Sequence, residues 1–221
     1  MSGKPALAIV GGTGALGGGL ARRWAAAGYS VIIGSRSADK AQAAAQALTP
    51  VACGAAPRGA SNADAADAGE VVVLAVPWAS HGAILDEIAP HVAGKLVVDA
   101  TVPLVPPKVA RVQLPAETSA ALAAQRRLGE AARVVAAFHN VAANKLQADT
   151  PIDCDVLVFG DAPEDRATVI ALAEAAGLRG IHAGPLANAV VAEALTSVLI
   201  GINRHYKVAG AGIRITGLGK D

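Results

Sequence analysis

The chain has 221 residues, a formal net charge of +1 and only 3% aromatic residues. A charge so close to zero gives no basic field for nucleic acid, and so few rings give no stacking platform, so no nucleic-acid partner is expected. The isolated Cys53 and Cys154 lack the spacing of a zinc site or a disulfide framework, and the short polar start does not read as a signal peptide, so we expect a cytoplasmic protein without a bound metal.

The first predicted elements are a buried strand, a glycine loop and a helix. Residues 6–10 are apolar throughout, which is typical of a parallel strand covered on both faces. Gly12, Gly14 and Gly17 then satisfy the pattern G-x-G-x-x-G before a helical pattern over 16–27. These glycines permit a tight turn, close approach of backbone to a pyrophosphate and close packing of the helix, whose N-terminus attracts phosphate. Because a flexible glycine linker would not lie between a buried strand and a helix, the pattern predicts dinucleotide binding.

The next strand indicates which dinucleotide is bound. In NAD-binding proteins this strand usually ends in a carboxylate that accepts hydrogen bonds from the ribose hydroxyls. Here the strand at 29–34 is followed by Ser35 and Arg36, and Lys40 lies in the first turn of the next helix. A guanidinium can hold a phosphate with two hydrogen bonds and the lysine adds a point charge, so the 2′-phosphate of NADP is favoured over NAD. The alternative is that Arg36 and Lys40 are solvated surface charges.

The alternation of strands and helices continues to the middle of the chain. Apolar runs at 70–76, 95–99 and 133–138 are separated by helical patterns at 80–88 and 117–128. Strands that alternate with helices predict right-handed crossovers and a parallel sheet. The predicted fold class is therefore α/β, with a Rossmann-type doubly wound parallel sheet.

The residues that follow these strands are expected to surround the nicotinamide, because such sheets bind ligands beyond the carboxyl ends of their strands. They are Val76, Pro77, Trp78, Thr101 and His139. His139 is the candidate catalytic residue, since an imidazole there could donate a hydrogen bond or a proton. Simpler alternatives are that Pro77 only ends a strand, that Trp78 is a core residue and that His139 is structural. His81 is expected to be a surface or helix-packing residue.

The last third of the chain changes character, and we predict two domains: an NADP-binding domain at 1–148 and a small α/β domain at 149–221. The second contains a predicted strand, helix and extended piece at 156–160, 164–176 and 178–182. A helical pattern over 186–207 has a wide apolar stripe, which predicts a core helix and a homodimer contact. Polar residues within it argue against a membrane span: Asn188, Glu193, Thr196 and Asn203. A glycine-rich tail at 210–217 could fold over a ligand.

Together these motifs resemble the NADPH-dependent F-420 reductase family. The resemblance covers nearly the whole chain. It rests on the glycine loop with Leu16 and Gly17, on Gly34-Ser35-Arg36, Val76-Pro77-Trp78 and His139, on 183–186 with Asn188, and on 203–204 through 212–216. It implies hydride transfer between NADP(H) and the 5-deazaflavin coenzyme F-420. It also implies that Thr13, Ser35, Arg36 and Lys40 hold the 2′-phosphate, and that His139, Val141, Pro185 and Asn188 border the deazaflavin.

Other functions stay open on the sequence. Tyr29 and Tyr206 lack the Tyr-x-x-x-Lys spacing of short-chain dehydrogenases, which argues against that class. A related fold could instead reduce a flavin, a pterin or ferric ion, or the protein could be a non-catalytic NADPH sensor. In the favoured interpretation both ligands are small redox molecules, and the hydride passes directly between them without a metal or a covalent intermediate.

Overall fold

A computed structural model describes residues 3–148 and 150–218 of the chain. Its main feature is a parallel sheet of six strands in the order β3-β2-β1-β4-β5-β6. The strands are β1 (Leu7–Val10), β2 (Val31–Ser35), β3 (Arg58–Ser61), β4 (Val71–Leu74), β5 (Leu96–Asp99) and β6 (Arg133–Ala136). The reversal of strand order beside β1 is that of a doubly wound sheet, so the predicted fold class is confirmed.

Five helices connect these strands. They are α1 (Ala15–Ala26), α2 (Ala38–Leu48), α3 (Asn62–Ala68), α4 (Trp78–Ile88) and α5 (Ala120–Leu128). Alternate residues of the strands face opposite cores: Leu7 and Ile9 pack with Trp24 on one side, whereas Ala8 and Val10 pack in the cluster on the other side. The sheet is therefore covered on both faces, as the uniformly apolar strands predict.

Strand β3 and helix α3 were not predicted, and the local sequence explains why. The strand Arg58–Ser61 contains no large apolar residue, and it pairs only with β2, at the edge of the sheet. A side chain on Gly59 would clash with the backbone of Ala41, since its Cβ would lie 2.3 Å from the carbonyl carbon. Close packing against α2, rather than apolar burial, thus selects the residues of this strand.

The C-terminal residues form a smaller α/β unit against the same core. It contains β7 (Asp155–Val158), α6 (Pro163–Ala175), β8 (Arg179–His182) and α7 (Ala189–Tyr206), with β7 and β8 paired in parallel. The indole Nε1 of Trp24 donates a 2.8 Å hydrogen bond to the carbonyl of Leu172, and Val156 and Val158 join the cluster around Trp24. The predicted boundary falls at residue 149, outside the described residues, so the two-domain division stays a prediction.

Helix α7 and the short turn before it form the longest apolar helical stretch. Among the described residues, Leu186–Tyr206 is the one segment long and apolar enough to cross a membrane, with a mean hydropathy of 1.5 and a third of it buried. A single segment of this kind is weak evidence for a membrane span, because core helices of soluble proteins share its length and composition. Its polar Glu193 and Ser197 are buried inside the protein.

Candidate functional site

The glycine loop brings the backbone of β1 and α1 together at the carboxyl edge of the sheet. A Cβ on Gly12 would lie 2.8 Å from the Ile9 carbonyl oxygen, and one on Gly17 would lie 2.9 Å from that of Gly11, so neither position tolerates a side chain without movement. Gly14 is the N-cap of α1 and offers no side chain to its first turn, which contains no acidic residue. The first N–H groups of the helix can therefore bind a phosphate.

A cleft of about 480 Å³ opens beside this loop. Its lining includes most of the predicted cofactor residues and several others: Gly11, Thr13, Gly14, Ser35, Arg36, Ser37, Lys40, Asn62, Ala75, Val76, Pro77, Ser80 and Ile84. Gly12, Leu16 and Gly17 shape the loop and helix beneath the cleft without lining it. Thr101 and Trp78 are also absent from its lining.

The distal end of the cleft is cationic. The Ser35 hydroxyl accepts a hydrogen bond from the Ser37 N–H at 3.3 Å, and the Ser37 hydroxyl caps α2 by accepting from the Lys40 N–H. These bonds hold the turn that presents Arg36 and Lys40 at the cleft. Neither cation forms a salt bridge within the described part of the chain, and no carboxylate lines the cleft. The arrangement suits a dianionic phosphate.

Asn62 is a cleft residue that the sequence reasoning missed. Its side chain is almost fully buried at the start of α3, and its Oδ1 has no hydrogen-bond partner among the described residues. The atom lies 3.2 Å from where a Cβ on Gly34 would stand, next to the end of β2. Buried polar atoms are normally paired, so an unpaired amide oxygen in a binding cleft marks a contact for a ligand hydroxyl or amine. Asn62 could not be predicted because β3, the strand that ends just before it and brings it to the cleft, was not recognised in the sequence.

Trp78, a predicted cofactor residue, lines a different cavity from the nucleotide cleft. It lies over the imidazole of His81 with ring centroids 5.2 Å apart. Both line a separate cavity of about 380 Å³ between α4 and α5. His81 is buried, and its Nε2 lies 2.8 Å from Oδ2 of the fully buried Asp99. His81 therefore packs a helix onto the sheet, as expected, but through a buried hydrogen bond that no local pattern revealed.

Asp99 ends β5 and fixes the start of the next segment. Its Oδ1 accepts a 2.9 Å hydrogen bond from the Thr101 N–H. Thr101 is buried, and its hydroxyl oxygen has no hydrogen-bond partner among the described residues. The carboxyl edge between β4 and β6 thus holds an ordered turn with a free hydroxyl group.

His139 lies just beyond β6 in a strained turn. The preceding Phe138 has φ of 68°, a left-handed conformation that costs on the order of 1–3 kcal/mol for such a residue. The Phe138 ring packs edge-to-face on Trp24 with centroids 5.8 Å apart, and this buried contact holds the turn. The chain thereby leaves the strand abruptly and delivers His139 to the edge of the sheet.

The imidazole of His139 is buried and neutral at physiological pH. Burial lowers its pKa from the usual 6.5 to about 4, although the nearby Asp99 opposes the shift. Neither ring nitrogen has a hydrogen-bond partner within the described residues. A neutral imidazole offers one N–H donor and one acceptor, so this side chain can hydrogen-bond a ligand but does not supply a positive charge.

A second pocket of about 150 Å³ adjoins His139. It is lined by His139, Asn140, Val141, Ala142, Thr196, Leu199, Ile200, Asn203 and Ala211. Helix α7 closes it, because the Thr196 hydroxyl donates to the His139 carbonyl at 2.8 Å and the Asn140 amide donates to the Ala192 carbonyl at 2.8 Å. The predicted neighbours Pro185 and Asn188 are exposed at the start of α7 and do not line this pocket.

The glycine-rich tail reaches this pocket, because Ala211 is one of its lining residues. The Ala211 N–H donates a 2.8 Å hydrogen bond to Oδ1 of Asn203. Farther along, the Ile215 N–H donates to Oδ2 of Asp155 at 2.6 Å, and Arg179 pairs with the same carboxylate. Burial would raise the Asp155 pKa, but the hydrogen bonds from Arg179 and Ile215 outweigh it, so the pKa lies below its usual value.

Glu193 joins α7 to α5 inside the protein. Its two carboxyl oxygens accept hydrogen bonds from the N–H groups of Ala120 and Ala121, at 2.7 and 3.1 Å. Burial raises its pKa to about 8 despite these two donors.

No group of three or more His, Cys, Asp or Glu side chains in the described part of the chain could hold a metal ion.

Comparisons with known proteins agree with this geometry. A sequence profile described as NADP oxidoreductase, coenzyme F420-dependent, matches residues 6–103. The F420-dependent NADP reductases of Methanothermobacter thermautotrophicus and Methanocaldococcus jannaschii are 42% and 40% identical to the chain. The alignments cover 96% of this chain in both cases, and 95% and 98% of the relatives. The crystal structure of a candidate F420-dependent NADP reductase from Arthrobacter sp. FB24 superposes with a TM-score of 0.79 at 28% identity, over 96% of this chain and 99% of that one. The chain belongs to the F420-dependent NADP reductase family.

Proposed function

We propose that this protein is an oxidoreductase that transfers a hydride between NADP(H) and the deazaflavin coenzyme F-420. The observation that carries the proposal is a row of groups available to a ligand along one sheet edge. The row runs from Arg36, just after β2, which lines the cleft, to His139, just after β6, whose ring nitrogens have no hydrogen-bond partner among the described residues. Four strand spacings separate β2 from β6, which is about 19 Å and comparable to an extended dinucleotide. The relatives named F420-dependent NADP reductases confirm the predicted enzyme class and its two co-substrates.

NADP lies in the larger cleft in this proposal. Ser35, Arg36 and Lys40 bind the 2′-phosphate together with Thr13, and the N-terminus of α1 binds the pyrophosphate. Asn62 accepts a hydrogen bond from the adenosine part, because its unpaired oxygen lies beside the end of β2. Val76 and Pro77 would hold the nicotinamide, and the Thr101 hydroxyl, which has no partner among the described residues, would bind its carboxamide.

The deazaflavin ring would bind at the pocket that His139 lines, beside the nicotinamide. NADPH supplies the hydride, and this chain supplies orientation and exclusion of water. The neutral His139 donates a hydrogen bond to the acceptor ring as that ring gains negative charge, which stabilises the transition state more than the ground state. Val141 lines the same pocket, while Pro185 and Asn188 border the ring only if it extends toward the start of α7.

We also propose that the protein is a cytoplasmic homodimer joined through α7. Val191, Val198 and Ile202 are exposed, and with the half-buried Leu195 they follow a spacing of four, three and four residues. This spacing forms an apolar stripe on one side of a helix, the pattern by which two helices pack together. Cys53 and Cys154 are free thiols, which is usual in a reducing compartment.

Oxidation of NADPH in the presence of different acceptors tests the proposal. Turnover with coenzyme F-420 that exceeds turnover with FMN, a pterin or ferric ion by at least tenfold is the expected result. Faster reduction of one of the other acceptors would assign the second site to that acceptor. Tight binding of NADPH without turnover of any acceptor would instead support a sensor.

A further inference from the structure

A second cationic region lies close to the pocket at His139. A cavity of about 400 Å³ is lined by Pro107, Lys108, Ala110, Arg111 and Arg204. Within residues 3–148 and 150–218, none of its three cations forms a salt bridge, and no acidic residue lines the cavity. Three unneutralised positive charges around one cavity make a site for an anionic group.

Two of these cations belong to a loop that is ordered by backbone hydrogen bonds. The Lys108 N–H donates to the Val105 carbonyl at 3.1 Å, and the Arg111 N–H donates to the Lys108 carbonyl at 3.0 Å. Because the two turns share Lys108, they fix the backbone from Val105 to Arg111, and both Lys108 and Arg111 line the cavity. This loop follows β5 at the ligand-binding edge of the sheet, which is where a side chain of a bound ligand would leave the cleft.

Helix α7 connects this cavity to the deazaflavin pocket. Ile200 lines the pocket at His139, and Arg204 lines the cationic cavity. Residues four apart on a helix lie on the same face, about 6 Å from each other. Asn203, which also lines the pocket, directly precedes Arg204. A ligand in the pocket therefore needs to extend by only one helical turn to reach the three cations.

Resting on the proposed co-substrate, we infer that Lys108, Arg111 and Arg204 bind the anionic side chain of coenzyme F-420. That side chain begins at the deazaflavin ring, carries a phosphodiester and ends in glutamyl carboxylates, so its charge is opposite to that of the cavity. The ring is held by the pocket at His139, and the side chain runs along α7 toward Arg204. The cationic cavity thus selects for the complete coenzyme over a chromophore that lacks this side chain.

Binding affinity of the holo complex with NADP tests this inference. The probes are F-420, a form that keeps the phosphodiester but lacks glutamate, and a deazaflavin riboside without either group, each followed by deazaflavin fluorescence. The triple substitution Lys108→Ala, Arg111→Ala and Arg204→Ala should weaken F-420 binding about ten- to a hundredfold at low salt, since partly exposed ion pairs contribute about two- to fivefold each. The riboside affinity should not change.

Further measurements separate the outcomes. The dependence of F-420 affinity on salt should be shallower in the triple variant than in the original protein, and the phosphodiester form shows which anionic group makes the contact. Arg126→Ala, which removes an exposed arginine from the last turn of α5, is the matched control and should leave affinity unchanged. Equal affinity of both proteins for F-420, or an equal loss for F-420 and the riboside, would overturn the inference while leaving the co-substrate intact. Failure of the original protein to bind any deazaflavin would overturn the proposed co-substrate and this inference with it.

Discussion

In the proposed function, single side chains set which dinucleotide is bound and how the acceptor is assisted. Arg36 and Lys40 are exposed cations without salt bridges in the described part of the chain, whereas His139 is buried with two unpaired nitrogens. Arg36 and Lys40 are available to bind a phosphate, and the ring nitrogens of His139 are available to hydrogen-bond a flat ring. We therefore expect Arg36 and Lys40 to select the nucleotide and His139 to assist hydride transfer.

Arg36→Ala should weaken NADP binding by one to two orders of magnitude and leave NAD binding nearly unchanged. A charge-assisted contact to the 2′-phosphate contributes about 1.5–3 kcal/mol, and NAD lacks that phosphate. Titration calorimetry with both dinucleotides measures the change, with Arg126→Ala as the control. A similar loss for NADP and NAD would refute the role of Arg36.

His139→Ala should lower kcat by roughly ten- to a thousandfold without abolishing turnover, because the hydride donor and acceptor remain in place. The pKa of about 4 leaves the imidazole neutral above pH 5, so kcat of the original enzyme should show no inflection near pH 6.5. His139→Asn retains an N–H donor and should recover part of the loss. An unchanged kcat in His139→Ala would show that the residue is structural.

At the scale of elements, most strands and helices could be predicted, because their apolar periodicity is local. Strand β1 and the start of α1 at Ala15 follow directly from the strand and glycine loop. Strand β3 could not be predicted, because its polar residues are selected by the close approach to α2. The role of Glu193 was equally hidden, since its partners lie more than seventy residues earlier in the chain.

Glu193→Gln should change how stability depends on pH. The folded pKa of about 8 lies above the unfolded value near 4.5, so the folded protein holds a proton that the unfolded chain releases. Stability of the original protein from this group is therefore greatest below pH 4.5 and falls, by on the order of a few kcal/mol, as pH rises to about 8. Urea titrations between pH 5 and pH 8 should show a smaller decrease in the variant.

Glu117→Gln, at a half-buried glutamate that pairs with Arg126, is the matched control for that measurement and should keep the original pH dependence. If the free energy of unfolding changed with pH equally in Glu193→Gln and in the original protein, Glu193 would be ionised in the folded state.

Helix α7 should carry the dimer contact on the side away from the pocket. The stripe of Val191, Leu195, Val198 and Ile202 lies on a different face from Thr196 and Asn203. Val198→Asp should therefore convert a dimer to a monomer at micromolar concentration, because a carboxylate would be buried in the apolar contact. Sedimentation velocity distinguishes the two states, and Val112→Asp, at another exposed valine, should remain dimeric. A monomeric original protein would contradict the contact.

In the proposed function, the whole molecule joins two ligand sites along one edge of a doubly wound sheet. The nucleotide end was predictable, because the glycine loop and the residues after β2 lie in one short segment. The second site combines His139 with Leu199 and Ala211, which are brought together by the packing of α7 and the tail. Sequence reasoning reached His139 through its position after β6, and placed Val141, Pro185 and Asn188 at the second site through family resemblance.

The proposed function depends on direct transfer of the hydride between the two ligands. The most direct test follows one turnover of NADPH that carries deuterium stereospecifically at the nicotinamide, with coenzyme F-420 as acceptor and mass spectrometry of both products. Direct transfer predicts one deuterium on the reduced deazaflavin ring, no deuterium lost to water, and no effect of a metal chelator. Release of the label into solvent during that turnover, or complete inactivation by the chelator, would contradict it.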